Sequence, residues 1–157
     1  NAAFPPAARC RRETLMRLTR YTDYALRTLI HLTAYNDRLC PIAEISRAYG
    51  ISQNHLMKVA NDLSRAGYVK AVRGRAGGLR LARPALEINV GEVVRHTEEG
   101  FDLVDCANCL IAPACGLTGA IGEALTAFLV VLDGYTLDDL ANKKRALRRL
   151  LNADRAT

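Results

Sequence analysis

The chain has no tryptophan, two methionines, three histidines and only 6% aromatic residues in its 157 positions. The histidines are scattered, so no nucleophile–histidine–acid arrangement can be assembled from them, and an enzyme is not expected. No stretch approaches the ~18 uninterrupted apolar residues that a membrane-spanning helix needs. The first fifteen residues, NAAFPPAARCRRETL, lack the apolar core of a signal peptide. They read as a disordered leader in which Cys10 is incidental, with the folded protein beginning at Met16. Export is therefore not expected, and a cytoplasmic, reducing location suits the free cysteines.

What is present is a division of charge. Residues 16–84 hold twelve Lys or Arg against four acids, whereas residues 85–142 hold one Arg against ten acids. A basic first half joined to an acidic second half suits a nucleic-acid module attached to a part that must stay off the polyanion.

The basic half resolves into a sequence of local signals. Thr19 or Thr22 can cap a first helix running to about Tyr35. Asn36-Asp37 marks a turn, Pro41 opens a short helix through Tyr49, and Gly50 ends it. Ser52 caps a third helix, QNHLMKVANDLSRAG, whose apolar face is Leu56, Val59, Ala60 and Leu63. Helix, glycine-containing turn, helix is the helix-turn-helix pattern. Ser52, Gln53, Asn54, His55 and Lys58 fall where such a motif contacts DNA bases in the major groove. Two short strands follow, at 68–72 and 79–82, joined by Arg73-Gly-Arg-Ala-Gly-Gly78. Arg73, Arg75 and Arg80 make this a basic wing suited to a narrow minor groove. The glycine-rich loop could instead cradle a nucleotide phosphate, but it lacks a Gly-Lys-Ser/Thr ending and joins two strands where a phosphate loop opens a helix.

Three of the five cysteines, Cys106, Cys109 and Cys115, crowd into VDCANCLIAPACGL. Three thiols cannot all pair as disulfides, but they can converge on one metal centre, and soft thiolates select zinc or iron–sulfur clusters. Three chemistries stay open on the residues alone. The loop can hold a cluster; it can hold structural zinc with His96 or Asp105 as fourth ligand; or it can be a metal-free thiol switch. Cys40, placed before Pro41 at a helix start, is not expected to belong to this centre. Beyond Cys115 a long helix carries Ile121, Leu125, Phe128, Leu129 and Leu132 along one stripe. That stripe needs covering, by a second copy of the chain or by its own domain; a homodimer is the economical reading, because paired readers face paired half-sites. The chain closes with a short helix and a basic tail.

The expected fold is thus mostly α with a small β-wing: a winged helix-turn-helix domain over 16–84, then a cysteine loop and long dimerisation helix over 85–151, with a leader at 1–15 and a tail at 152–157. MRLTRYTDYALR, ISQNHLMKV, RAGYVKAVRGRAGGLRLARP and FDLVDCANCLIAPACGL together resemble the iron–sulfur winged-helix repressors of the Rrf2 superfamily, and within it the nitric-oxide-sensitive branch. The resemblance spans Met16 to about Leu151. It implies a dimeric bacterial repressor of a palindromic double-stranded DNA operator, with an iron–sulfur cluster, [2Fe-2S] or [4Fe-4S], that controls DNA affinity and responds to nitric oxide. It further implies Cys106, Cys109 and Cys115 as cluster ligands, Asp23 as a fourth ligand from the first helix of the partner subunit, and Arg27 as the residue coupling the cluster to the DNA-binding helices. One departure is that two residues separate the first two cysteines, where other members often place four to seven. The branch with a histidine ligand just after the third cysteine is disfavoured, since Gly116, Leu117 and Thr118 stand there. An iron- or redox-responsive regulator of the same superfamily remains an alternative.

Overall fold

The computed structural model describes residues 17–101, 103–106 and 108–153. The expected leader with Cys10, and residues 154–157, lie outside the described residues.

Helix α1 spans Arg20–Ala34 and begins where Thr19 accepts the Thr22 N–H (3.2 Å). Its buried threonines do not break it. The Thr28 and Thr33 hydroxyls donate to the carbonyls of Tyr24 and Leu29 four residues back, at 2.7 and 2.8 Å. Helix α2 (Ile42–Tyr49) ends at Gly50, whose φ of 62° is left-handed and suits a residue without Cβ. Helix α3 (Gln53–Arg65) is capped by the Ser52 hydroxyl. Strands β1 (Val69–Val72) and β2 (Gly78–Leu81) pair antiparallel with Val69 opposite Leu81 and Val72 opposite Gly78. One core joins these parts: Ala25, Leu29 and Leu32 of α1 meet Ile45 of α2, Leu56, Val59 and Leu63 of α3, and Val69 and Leu79 of the wing. Each large aliphatic side chain withdrawn here from water contributes about 1.5–3 kcal/mol.

After Pro84 the chain makes a single 3-10 turn, Ala85–Glu87, and an extended Ile88-Asn89 before helix α4 (Val90–Thr97). Helix α4 starts here because Asn89 caps it by accepting the Glu92 N–H (3.1 Å). The cysteine loop leads to α5 (Leu117–Asp133), and two further helices follow, α6 (Leu137–Leu140) and α7 (Lys144–Ala153).

The closing segment differs from the expected basic tail. Helix α7 lies against the end of α1, where Arg148 donates to the Ala34 carbonyl and to Asp37 (2.7 Å), and the Tyr35 hydroxyl donates to Asn152 (3.0 Å). Structure therefore continues past Leu151. Leu137 of α6 is fully buried in the same core as α1. Helix α5 is the exception to this packing. None of its residues is buried, and Ile121, Leu125, Phe128, Leu129 and Leu132 are only half-covered.

Candidate metal centre and nucleic-acid interface

The cysteine loop is a chain of tight turns. The Cys109 N–H donates to the Cys106 carbonyl (3.3 Å), Ala112 to Cys109 (3.1 Å), and Cys115 to Ala112 (3.3 Å), the last closing the 3-10 turn Ala112–Ala114. Cys109 is exposed, while Cys106 and Cys115 are half-buried, and none is in a disulfide. Cys106 faces a cavity lined by Phe101, Val104, Thr118, Ile121 and Leu125, and its sulfur accepts a hydrogen bond from the Thr118 hydroxyl (3.1 Å). The loop is thus seated on the N-terminal end of α5.

This donor set fits an iron–sulfur cluster. Three thiols share one short loop, and a hydroxyl already donates to one of the sulfurs, the kind of outer contact that stabilises a thiolate ligand. A single zinc ion would need a fourth ligand beside the three thiolates. His96 is engaged elsewhere. Its Nε2 lies 3.0 Å from the Asp62 carboxylate, and its ring stands edge-on to Tyr68.

Asp23 and Arg27 form an i,i+4 ion pair on α1 (2.8 Å), each side chain nearly half exposed. Arg27 also lies over the ring of Tyr49 (5.9 Å), and the neighbouring Tyr24 ring is 6.4 Å from the His55 ring of α3. The N terminus of α1 is tied to the segment entering the cysteine loop, because Glu98 accepts from the Thr19 N–H (2.8 Å) and hydroxyl (3.1 Å).

Ser52, Gln53, Asn54, His55 and Lys58 are exposed at the start of α3, whose first turn holds no acid. Arg73, Arg75 and Arg80 are exposed along the wing. The one acidic residue of α3, Asp62, is turned to His96. The wing is held to the α2 entrance by a two-way backbone bridge between Cys40 and Leu79, 2.9 Å in each direction.

A group that the sequence reading passed over lies beneath this bridge. His31, Cys40 and Glu44 are buried, and their ligand atoms all lie within 4.8 Å of one another. Glu44 accepts two hydrogen bonds from Arg38 (3.0 and 2.6 Å), and burial pushes the Cys40 thiol up to about 11. His31 sits in an apolar helix between Ile30 and Leu32, and Cys40 next to a helix-opening proline, so neither advertises itself in the sequence. The spacing from Cys40 to Glu44, one helical turn, was the available signal.

At the far end of α5, Arg95 makes a two-pronged contact with Asp133 (both 2.6 Å). That hydrogen bonding holds the Asp133 carboxyl below its ordinary range.

Comparison with known proteins agrees with these observations. The Rrf2 family, described as an iron-dependent transcriptional regulator, matches residues 18–143. The HTH-type transcriptional regulator NsrR of Bacillus licheniformis is 48% identical over 143 residues, which is 87% of this chain and all of the relative. The regulator of the same name from Bacillus subtilis is 51% identical over 142 residues, covering 87% of this chain and 97% of the relative. Among solved structures, CymR, the global cysteine regulator of B. subtilis, superposes with a TM-score of 0.64 at 26% identity, covering 82% of this chain and 98% of that one. T. potens IscR shares the fold with a TM-score of 0.68 at 23% identity, over 82% of this chain and 88% of that one. A winged-helix body, a mostly helical remainder and relatives that are regulators and not enzymes lead to one assignment: the chain belongs to the Rrf2 family, as a transcriptional regulator of the NsrR type.

Proposed function

We propose that this regulator is a homodimeric repressor whose grip on a palindromic operator is controlled by an iron–sulfur cluster sensitive to nitric oxide. In this reading residues 16–84 read DNA and residues 85–151 carry the cluster loop and the dimer helix. The observation that carries it is the seating of three cysteines on the N-terminal end of α5, a helix whose apolar stripe is nowhere buried. A second copy of α5 would cover that stripe.

Cys106, Cys109 and Cys115 would hold the cluster, with Asp23 of the partner subunit as fourth ligand. Helix α5 contacts its own body near Asp133 and is about 25 Å long at 1.5 Å per residue. The cysteine loop joins the opposite end of α5 from that contact, and the fourth ligand would come from the other subunit. When bound, the cluster supplies iron atoms open to attack by nitric oxide, most readily at an oxygen-ligated position, because oxygen is the poorer partner. The chain's own residues do the rest. Loss of the cluster would release Asp23, Arg27 and the cysteine loop together, with Arg27 lying against Tyr49 at the helix-turn-helix junction, and would untie one subunit from the other. The separation of the two α3 helices then no longer matches the half-site spacing. Gln53, Asn54 and His55, with Lys58 and the Ser52 cap, would meet bases and phosphates in the major groove, and Arg73, Arg75 and Arg80 the minor groove.

Anaerobic purification followed by iron and sulfide analysis tests the cofactor, and operator retention with and without nitric oxide tests the signal. Brown protein containing iron and sulfide, which loses operator affinity on exposure to the gas, is expected. Colourless protein containing zinc would overturn the cluster. Iron-loaded protein indifferent to nitric oxide but released by iron chelation would support the iron-responsive alternative, which the family description favours.

A further inference from the structure

We propose that His31, Cys40 and Glu44 form a second metal site, separate from the cysteine loop, that takes a divalent transition ion of the zinc type. An imidazole nitrogen, a sulfur and a carboxylate oxygen lie within 4.8 Å of one another in the interior of the winged-helix body. Mixed sulfur, nitrogen and oxygen donors are what zinc accepts, at about 2.0–2.3 Å from the ion, so small side-chain movements would close this set on one ion. The donors also come from different pieces of chain. His31 belongs to α1, Cys40 to the segment before α2, and Glu44 to α2, so the fold rather than local sequence brings them together.

Arg38 closes the entrance. It donates to both oxygens of Glu44, and Glu44 Oε1 is 3.3 Å from His31 Nε2. For an ion to enter, Glu44 must exchange the guanidinium for the metal. Arg38 can afford that exchange: its side chain is 37% exposed, it also donates to the Leu39 carbonyl (3.1 Å), and it lies over the Tyr35 ring at 4.3 Å. On binding, the Cys40 S–H bond breaks, a sulfur–metal bond forms, and the proton leaves to solvent, with no change in oxidation state. A fourth position stays available to water. Because Cys40 is bridged to Leu79, the bound ion would pin α1, α2 and the wing into one unit.

The test uses the full chain with Cys10, Cys106, Cys109 and Cys115 changed to Ala, so that Cys40 is the sole thiol. In parallel, folded wild-type chain is used after alkylation of every thiol except the buried Cys40, checked by mass spectrometry, which avoids any folding defect of the multiple variant. Cobalt(II) serves as the spectroscopic probe. The expected result in both preparations is a sulfur-to-cobalt charge-transfer band saturating at one ion per chain and bleached by zinc. Cys40→Ala, which leaves a small apolar side chain in the pocket, should remove the band while circular dichroism stays unchanged. His31→Gln and Glu44→Gln should each raise the cobalt dissociation constant at least about tenfold, since even outer-shell changes cost 10–100-fold. No charge-transfer band in folded protein at saturating cobalt, or a band that survives Cys40→Ala, would overturn the proposal. Neither result touches the loop cluster, whose ligands are absent or blocked in both preparations.

Discussion

Replacing Asp23 by Ala separates a local electrostatic role from a role in holding the cluster. Within one chain Asp23 does two modest things. It pairs with Arg27 at 2.8 Å, each side chain nearly half exposed, and it places a negative charge in the first turn of α1. An exposed i,i+4 pair contributes roughly 0.3–0.5 kcal/mol, and a first-turn carboxylate roughly 0.3–1 kcal/mol. Solvent screening at this exposure keeps the total near about 1 kcal/mol at most, which in a domain of this size lowers the melting temperature by about 2–4 °C. Thermal melts of the cluster-free protein should show that small loss and no more. If Asp23 also ligates iron across the dimer, the loaded variant should differ in kind. Its cluster, held by three cysteines, should show altered visible absorbance, faster loss in air and an abnormal reaction with nitric oxide. Heterodimers of Asp23→Ala with Cys106→Ala subunits sharpen the assay, because only a shared site leaves one complete ligand set per dimer. A loaded Asp23→Ala protein with unchanged spectrum and gas response, or heterodimers with no intact site, would refute the reasoning.

Arg75→Ala should weaken operator binding and lower the slope of log affinity against log salt by about one unit; an unchanged slope in a salt titration would place Arg75 off the DNA. Gly78→Ala should cost about 1–3 kcal/mol in chemical denaturation, because a Cβ there would stand 2.8 Å from the Cys40 carbonyl oxygen, a backbone atom that cannot swing aside. The Arg95–Asp133 contact should be sensitive to acid. The folded Asp133 carboxyl titrates below its unfolded value, so its contribution is complete above about pH 4 and is lost as pH falls through the lowered value. Melts across that range should show the acid-dependent loss in wild type and a reduced loss in Asp133→Asn.

The helix-turn-helix and the wing were legible in the sequence because their signals are local. Thr19 and Ser52 cap the helices that follow them, Gly50 adopts the left-handed conformation that its position implies, and the apolar residues of α3 face the core at helical spacing. Helix α7 was not legible as a packed element because its partners are remote. Arg148 and Asn152 reach Ala34 and Tyr35, more than a hundred residues earlier, and nothing in KKRALRRLL indicates that partner. The same limit hid the His31, Cys40 and Glu44 group. Each residue alone reads as core, linker or helix surface, and only tertiary packing puts them within reach of one ion. The cysteine loop lies between these cases. Its composition announces metal chemistry, yet spacing alone does not distinguish one ion from a cluster.

The contacts around α1 also suggest how a change at the loop could reach DNA within a single subunit. Glu98, the residue that ends α4 and begins the descent to the cysteines, accepts both polar hydrogens of Thr19, the cap of α1. Asp23 and Arg27 follow on that helix, Arg27 lies against Tyr49 of α2, and Tyr24 faces His55 at the start of α3. The contacts are contiguous, as energetic coupling through packed side chains requires. None is individually strong: the Asp23–Arg27 pair is exposed and the ring contacts are loose, so the path is adjustable rather than locked. A rearrangement of the loop that shifted Glu98 would move the cap of α1 and, one turn later, the aromatic contact with α3. Glu98→Gln offers a way to weaken that path. It keeps an oxygen to accept from Thr19 but lacks the charge, and so should soften the coupling while leaving the cysteines and the wing as they are.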